Sequence, residues 1–179
     1  IADLIFYGES YNFGLLVSGE GDLNGDGFDD VIVSNPGFPN GTNGRIYTYF
    51  GGSNMNNIAD VIITEPFFAG YSISIAGDVN GDGFDDLIFS RYFERMETSY
   101  SGPRFVVFGK AEGVPDQSVY FWVPDYSSWG GTVSGAGDVN GDGIDDLIMG
   151  ANSGYALGGA GVIEGGGFVV FGKTGDFSS

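Results

Sequence analysis

The sequence predicts an all-β chain in which one small unit of strands is repeated three times, and three observations carry that expectation. The stretch GDLNGDGFDDVIV from Gly21 returns as GDVNGDGFDDLIF from Gly77 and as GDVNGDGIDDLIM from Gly137. Asp22 to Asp78 is 56 residues and Asp78 to Asp138 is 60, a period of the size of propeller blades or solenoid units. The chain also holds 34 Gly, 16 Phe and 10 Tyr in 179 residues, which suits short aromatic-rich strands joined by tight turns.

Each unit opens with a segment whose glycine lies eight residues before the first loop aspartate: FGLLVSGEG from Phe13, AGYSISIAG from Ala69 and WGGTVSGAG from Trp129. The loop follows, and then an apolar run of buried-strand length, VIVS (31–34), LIFS (87–90) and LIMG (147–150). After an irregular connection come RIYTYFG (45–51), RFVVFGK (104–110) and FVVFGK (168–173), where β-branched and aromatic residues mark a third strand. A fourth strand is expected at IADVIIT (58–64) and QSVYFWV (117–123).

The third unit reaches Ser179 before a fourth strand of its own, while IADLIF (1–6) matches IADVII (58–63) at Ile, Ala, Asp and the second Ile. Residues 1–179 are therefore expected to form one propeller unit. Its parts are residues 12–64 (first blade), 69–123 (second), 129–179 (third, lacking its fourth strand) and 1–7 (a strand closing the last blade of its own array or of a partner chain). Three blades are too few to close a ring, since propellers use about 4 to 8. A second copy would supply six, giving a homodimer by strand exchange.

In D-x-N-x-D-G-x-x-D, positions 1, 3, 5 and 9 carry oxygen donors: Asp22, Asn24, Asp26 and Asp30; Asp78, Asn80, Asp82 and Asp86; Asp138, Asn140, Asp142 and Asp146. Alternate spacing on a curled backbone turns these oxygens inward, and the position-6 glycine permits the turn. The carbonyls of Phe28, Phe84 and Ile144 at position 7 would add a fifth donor. Three carboxylates, an amide and a carbonyl make a hard oxygen set suited to Ca2+, three ions in all, one per blade. An EF-hand would need Glu at position 12, where Val33, Phe89 and Met149 stand. Asp29, Asp85 and Asp145 at position 8 are expected to point away from the ion.

Six Lys and Arg against 24 Asp and Glu give a net charge of -18, which opposes binding to nucleic acid or anionic membrane surfaces. The three loops hold 12 of those 24 acids, so the charge is concentrated where a cation would sit. With no Cys and no His, thiol nucleophiles, Ser-His arrangements and imidazole or thiolate zinc sites are excluded. No stretch approaches the roughly 18 apolar residues of a membrane span, so no membrane insertion is expected.

The calcium loop in a strand context resembles the FG-GAP repeats of integrin α-subunit β-propellers and their bacterial relatives, across nearly the whole chain. The FG position reads Phe13-Gly14, Ala69-Gly70 and Trp129-Gly130; the GAP position reads Ser34-Asn35-Pro36, Ser90-Arg91-Tyr92 and Gly150-Ala151-Asn152. The resemblance implies four antiparallel strands per blade, with calcium between the first and second strands on the face opposite the ligand-binding face. Family propellers typically have seven blades.

That layout would bring the connections 35–44, 91–103 and 151–166 together on a ligand face. The middle one carries Arg91, Tyr92, Arg95 and Tyr100, an Arg and aromatic mixture suited to protein or sugar contact. The primary expectation is a non-enzymatic, calcium-stabilised extracellular binding or adhesion module. A lectin is the first alternative. A polysaccharide lyase, with Tyr92 as acid or base beside Arg91 or Arg95, is the second. Loops of modest calcium affinity fill where calcium is near millimolar, which points to the cell exterior or periplasm.

Overall fold

The computed structural model describes residues 2–9, 11–37, 43–65, 69–91, 104–111, 113, 119–121, 131–151, 154–155, 162–163 and 166–175. Among the described residues there are thirteen strands and no helix. The first sheet runs β1 (Val17–Ser18), β2 (Val31–Asn35), β3 (Gly44–Tyr49) and β4 (Val61–Glu65), in that spatial order. The second repeats it with β5 (Ala69–Gly77), β6 (Asp86–Arg91), β7 (Arg104–Val107) and β8 (Val119–Phe121). In the third, β9 (Val133–Gly137) and β10 (Asp146–Ala151) are joined by β13 (Gly166–Val170), while β11 (Gly154–Tyr155) and β12 (Val162–Ile163) form a separate ribbon. All neighbours are antiparallel. The chain is thus a three-bladed segment of an all-β propeller, and the ribbon β11–β12 lies inside a connection that the sequence marks only as glycine-rich.

In the first two blades the apolar runs after the loops read as continuous rather than alternating because β2 and β6 each serve two cores. Leu87 and Phe89 of β6 face the first blade and join Leu23, Ile32, Ile46 and Ile63 there. Ile88, between them, faces the third blade and packs with Val106, Val133, Leu147 and Met149. Phe89 stacks on Phe105 with ring centroids 4.8 Å apart and planes 11° from parallel. Blade stacking, rather than any one sheet, makes the core.

The innermost strands are joined by hydroxyls. Ser18 Oγ accepts from the Ile75 N–H at 3.1 Å, and Ser74 Oγ stands 3.4 Å from the donating N–H of Gly135. These serines occupy the same repeat position, four residues before the first loop aspartate.

The segment expected to close the last blade is placed differently within the single chain. Residues 2–8 form no strand. Phe6 lies on Tyr49 at 4.1 Å between centroids, Phe13 meets Tyr47 edge-on at 5.1 Å, and Glu9 pairs with Arg45 at 2.6 Å. The N-terminal aromatics Phe6 and Phe13 pack on the outer face of the first blade (Val33, Tyr47, Tyr49) and bury its apolar surface.

Candidate metal centres

The three loops fold identically around their first aspartate. Asp22 Oδ1 accepts from the N–H groups of Gly25 (2.7 Å) and Asp26 (3.0 Å), and its Oδ2 from Gly27 (2.7 Å). Asp26 Oδ1 accepts from the Phe28 N–H at 3.0 Å, and Asn24 Oδ1 from the Asp26 N–H at 3.0 Å. Asp78 with Asn80 and Asp82, and Asp138 with Asn140 and Asp142, repeat this wrapping bond for bond. Gly27, Gly83 and Gly143 have φ of 88°, 93° and 90°, the left-handed turn that position 6 requires.

The position-9 aspartates are fully buried and fasten each loop to the end of its own blade's third strand. Asp30 accepts from the N–H of Leu23 (2.8 Å) and of Gly51 (2.9 Å). Asp86 does so from Val79 and Gly109, and Asp146 from Val139 and Gly172, all at 2.9 Å. Burial pushes the Asp86 carboxyl up to about 7, against the pull of its two amide donors and with added repulsion from Asp82 and Asp78. Asp30 is raised for the same primary reason. At the exposed Asp138 the amide donors, Gly143 foremost, hold the carboxyl below its ordinary range.

The donor set fits a hard divalent cation: three carboxylates, an amide and the position-7 carbonyl within nine residues of one curled loop. Each carboxylate oxygen of Asp30, Asp86 and Asp146 accepts one amide N–H and keeps a second lone pair. Among the described residues, however, no three acidic side chains converge into a closed metal-binding group. The carboxylates are turned to backbone amides, which relieves the repulsion that convergence would impose. Asp22, Asn24, Asp26, Phe28 and Asp30, with their counterparts in the other two loops, are the residues that would hold the ion.

The position-8 aspartates, expected to point away from the ion, have a role that sequence reading missed. Asp85 Oδ2 accepts from the Asp22 N–H of the preceding blade at 2.7 Å, and the Asp85 N–H donates to the Asp22 carbonyl at 3.1 Å. Asp145 clasps Asp78 in the same way, at 3.1 and 3.2 Å. A second backbone bond lies beside each clasp: Lys110 N–H to the Leu23 carbonyl at 3.0 Å, and Lys173 N–H to the Val79 carbonyl at 3.1 Å. Gly109 must lack a side chain here, because a Cβ would sit 2.7 Å from the Leu23 carbonyl oxygen of the neighbouring blade. The signal available in the sequence was the retention of Asp at position 8 in all three copies.

Of the ligand-face candidates, Tyr92, Arg95 and Tyr100 lie outside the described residues. Arg91 is described, and it is buried: its guanidinium pairs with Glu65 of the preceding blade and lies 4.2 Å over the Phe105 ring. It serves the junction between first and second blades instead of a ligand face, and so is withdrawn from any lyase arrangement. Arg104 is likewise buried and donates to the Gly150 carbonyl across the next junction at 3.1 Å. Both arginines sit at strand ends, where burial in a neighbouring blade is invisible to a one-dimensional reading.

Comparison with known proteins agrees with this architecture. The FG-GAP repeat model matches residues 13–49, 69–106 and 129–163, more than half of the chain. Integrin alpha-5 of Xenopus laevis is 32% identical over 155 residues, covering 78% of this chain and 14% of the relative. Integrin alpha-PS5 and integrin alpha-PS3 of Drosophila melanogaster are 31% and 32% identical over 170 residues, covering 86% of this chain and 16% and 15% of the relatives. The chain spans about one sixth of the length of these relatives or less. Three matched repeats, each with its own sheet and its own acidic loop between first and second strands, establish that the chain belongs to the FG-GAP repeat family.

Proposed function

We propose that the chain is a calcium-stabilised propeller segment that works outside the cell as a protein-binding or adhesion scaffold and that it self-associates. The observation that carries the reading is the threefold recurrence of one loop, with the same oxygen donors and the same amide wrapping in every blade. Ordinary turn-forming would not require all four side-chain donors in each copy. The likeness to proteins named integrin alpha supports a role in recognition rather than catalysis. Calcium has a structural part here: it neutralises carboxylates on the same loops that fasten one blade to the next.

Isothermal titration with Ca2+ after chelator treatment is the direct test. Three sites per chain are expected, together with a rise in unfolding midpoint on loading. Absence of heat and an unchanged midpoint in millimolar Ca2+ would defeat the calcium reading. The partner is addressed separately, by presenting the immobilised protein with matrix proteins and with a glycan array. Binding confined to glycans would replace the protein-binding scaffold by a lectin.

A further inference from the structure

Each acidic loop carries two dipeptides in which glycine follows a side chain that the main chain can attack. Asn24-Gly25 with Asp26-Gly27, Asn80-Gly81 with Asp82-Gly83, and Asn140-Gly141 with Asp142-Gly143 fill positions 3 to 6 of the three loops. The nitrogen of the residue after Asn or Asp is placed to reach that side chain's Cγ and close a five-membered imide. Glycine leaves the approach unobstructed, having no side chain of its own. The turn allows no easy substitute, because φ is 74°, 74° and 80° at Gly25, Gly81 and Gly141, and 88°, 93° and 90° at Gly27, Gly83 and Gly143. Only glycine takes that conformation at little cost. The loop's shape therefore demands the residue that makes its neighbours chemically labile.

Burial does not shield these bonds, since Gly25, Asp26 and Gly27 are exposed, as are Gly81, Asp82 and Gly83. Hydrogen bonds hold them instead. In each loop the two nitrogens that would attack donate to the two oxygens of one carboxylate. Gly25 and Gly27 donate to Asp22 at 2.7 Å each; Gly81 and Gly83 to Asp78, and Gly141 and Gly143 to Asp138, at 2.7 and 2.8 Å. The Asn side chain is tied as well: its Oδ1 accepts from the N–H of the position-5 aspartate. Its Nδ2 donates to that aspartate's Oδ2, at 3.1 Å in the first loop and 2.9 Å in the other two. The bond to the position-1 carboxylate must break before the glycine nitrogen can turn on Cγ, and negative charge developing on that nitrogen would be repelled by the same carboxylate.

We propose that Asn24, Asn80 and Asn140 are deamidation sites and Asp26, Asp82 and Asp142 isomerisation sites, kept unreacted by Asp22, Asp78 and Asp138 while each loop is closed. When a loop opens, the freed glycine nitrogen attacks Cγ of the preceding residue. The new C–N bond forms as ammonia leaves from Asn, or water from Asp, and the proton of the attacking nitrogen departs with it. Water then opens the imide at either carbonyl, giving aspartate or isoaspartate. Isoaspartate puts an extra methylene into the main chain, so the wrapping on the position-1 carboxylate cannot re-form. Each loop thus records its own opening permanently, and the position-1 aspartate acquires a protective role separate from holding a cation.

The test uses the intact chain in chelator, so that cation binding plays no part in the outcome. Folded wild type, wild type in urea and folded Asp78→Ala are aged in mildly alkaline buffer, and conversion in each loop is followed by peptide mass mapping with isoaspartyl methyltransferase labelling. In folded wild type every loop is expected to convert at least about tenfold more slowly than in urea, the factor set by keeping one charge-assisted hydrogen bond closed. In Asp78→Ala, loop 78–86 should convert at least about tenfold faster than loops 22–30 and 138–146 of the same molecules. Equal rates in folded and urea-treated wild type, or an Asp78→Ala loop as slow as the other two, would overturn the proposal. If the substitution unfolds the chain, all three loops speed up together, and wild type alone decides. Amide hydrogen exchange at Gly25, Gly81 and Gly141 must then rank the loops in the order of their conversion. The same order supports protection by the position-1 carboxylate; a different order overturns it.

Discussion

Asp86→Asn separates the two demands made on the buried carboxylate, because its effect should differ in direction with and without calcium. In metal-free protein the move of the Asp86 carboxyl from 3.8 to about 7 corresponds to about 4 kcal/mol of destabilisation of the ionised form above neutral pH. The folded state then binds a proton that the unfolded state does not. Stability conferred by that proton is fully present below about pH 4 and is lost as pH rises through about 7. Asn removes the charge and keeps one oxygen for one of the two amides, Val79 or Gly109, leaving the other facing an NH2 group at a cost of about 1–3 kcal/mol. In chelator at pH 8 the variant should therefore be more stable than wild type by about 1–3 kcal/mol, and its stability should depend less on pH. Calcium at a hundredfold excess over its dissociation constant would stabilise an intact loop by about 2.7 kcal/mol. The variant, short of one carboxylate, should lose that gain at one of three sites, which erases or inverts its advantage. Urea unfolding of both proteins at pH 8, with chelator and with Ca2+, reads all four corners. A variant less stable than wild type in chelator would refute the dominance of burial at Asp86. One that keeps the full calcium response would remove loop 78–86 from the metal centres.

Other expectations follow from the junctions and the core. Gly109→Ala drives a Cβ to within 2.7 Å of the Leu23 carbonyl oxygen and should cost about 3 kcal/mol or more, whereas Gly167→Ala, with open space around it, should be neutral or stabilising by up to about 1 kcal/mol in the same denaturation assay. Phe89→Ala removes a fully buried ring and its stacking on Phe105; a loss of about 3–5 kcal/mol is expected by urea titration. Arg91→Met removes the ion-pair partner of the largely buried Glu65 and should cost about 3–5 kcal/mol, with much of that recovered by adding Glu65→Leu, a double-mutant cycle readable from the same midpoints.

The repeat made most of the sheet order legible before any coordinates, because loop, apolar run and third strand recur in fixed order and each carries its own period or turn chemistry. The shared acidic loop was legible for the same reason. What escaped depends on contacts between units. Asp85 looks like a spare carboxylate until the preceding blade's amide is beside it, and Arg91 looks like a loop cation until Glu65 and Phe105 enclose it. IADLIF (1–6) repeats the pattern of a fourth strand, yet Phe6 packs on Tyr49 in the aromatic cluster of the first blade. Local pattern states what a segment can become; its neighbours decide.

At the acidic-loop end, the contact between adjacent blades is made largely by main-chain atoms, and it requires one carboxylate and a glycine on each side, Gly21 with Gly109 and Gly77 with Gly172. Such a joint is indifferent to most of the residues around it. A blade could be duplicated, deleted or moved to another array without redesigning its neighbours, provided those few positions travel with it. Interchangeability of this kind lets a chain change its blade number while each surviving joint stays the same.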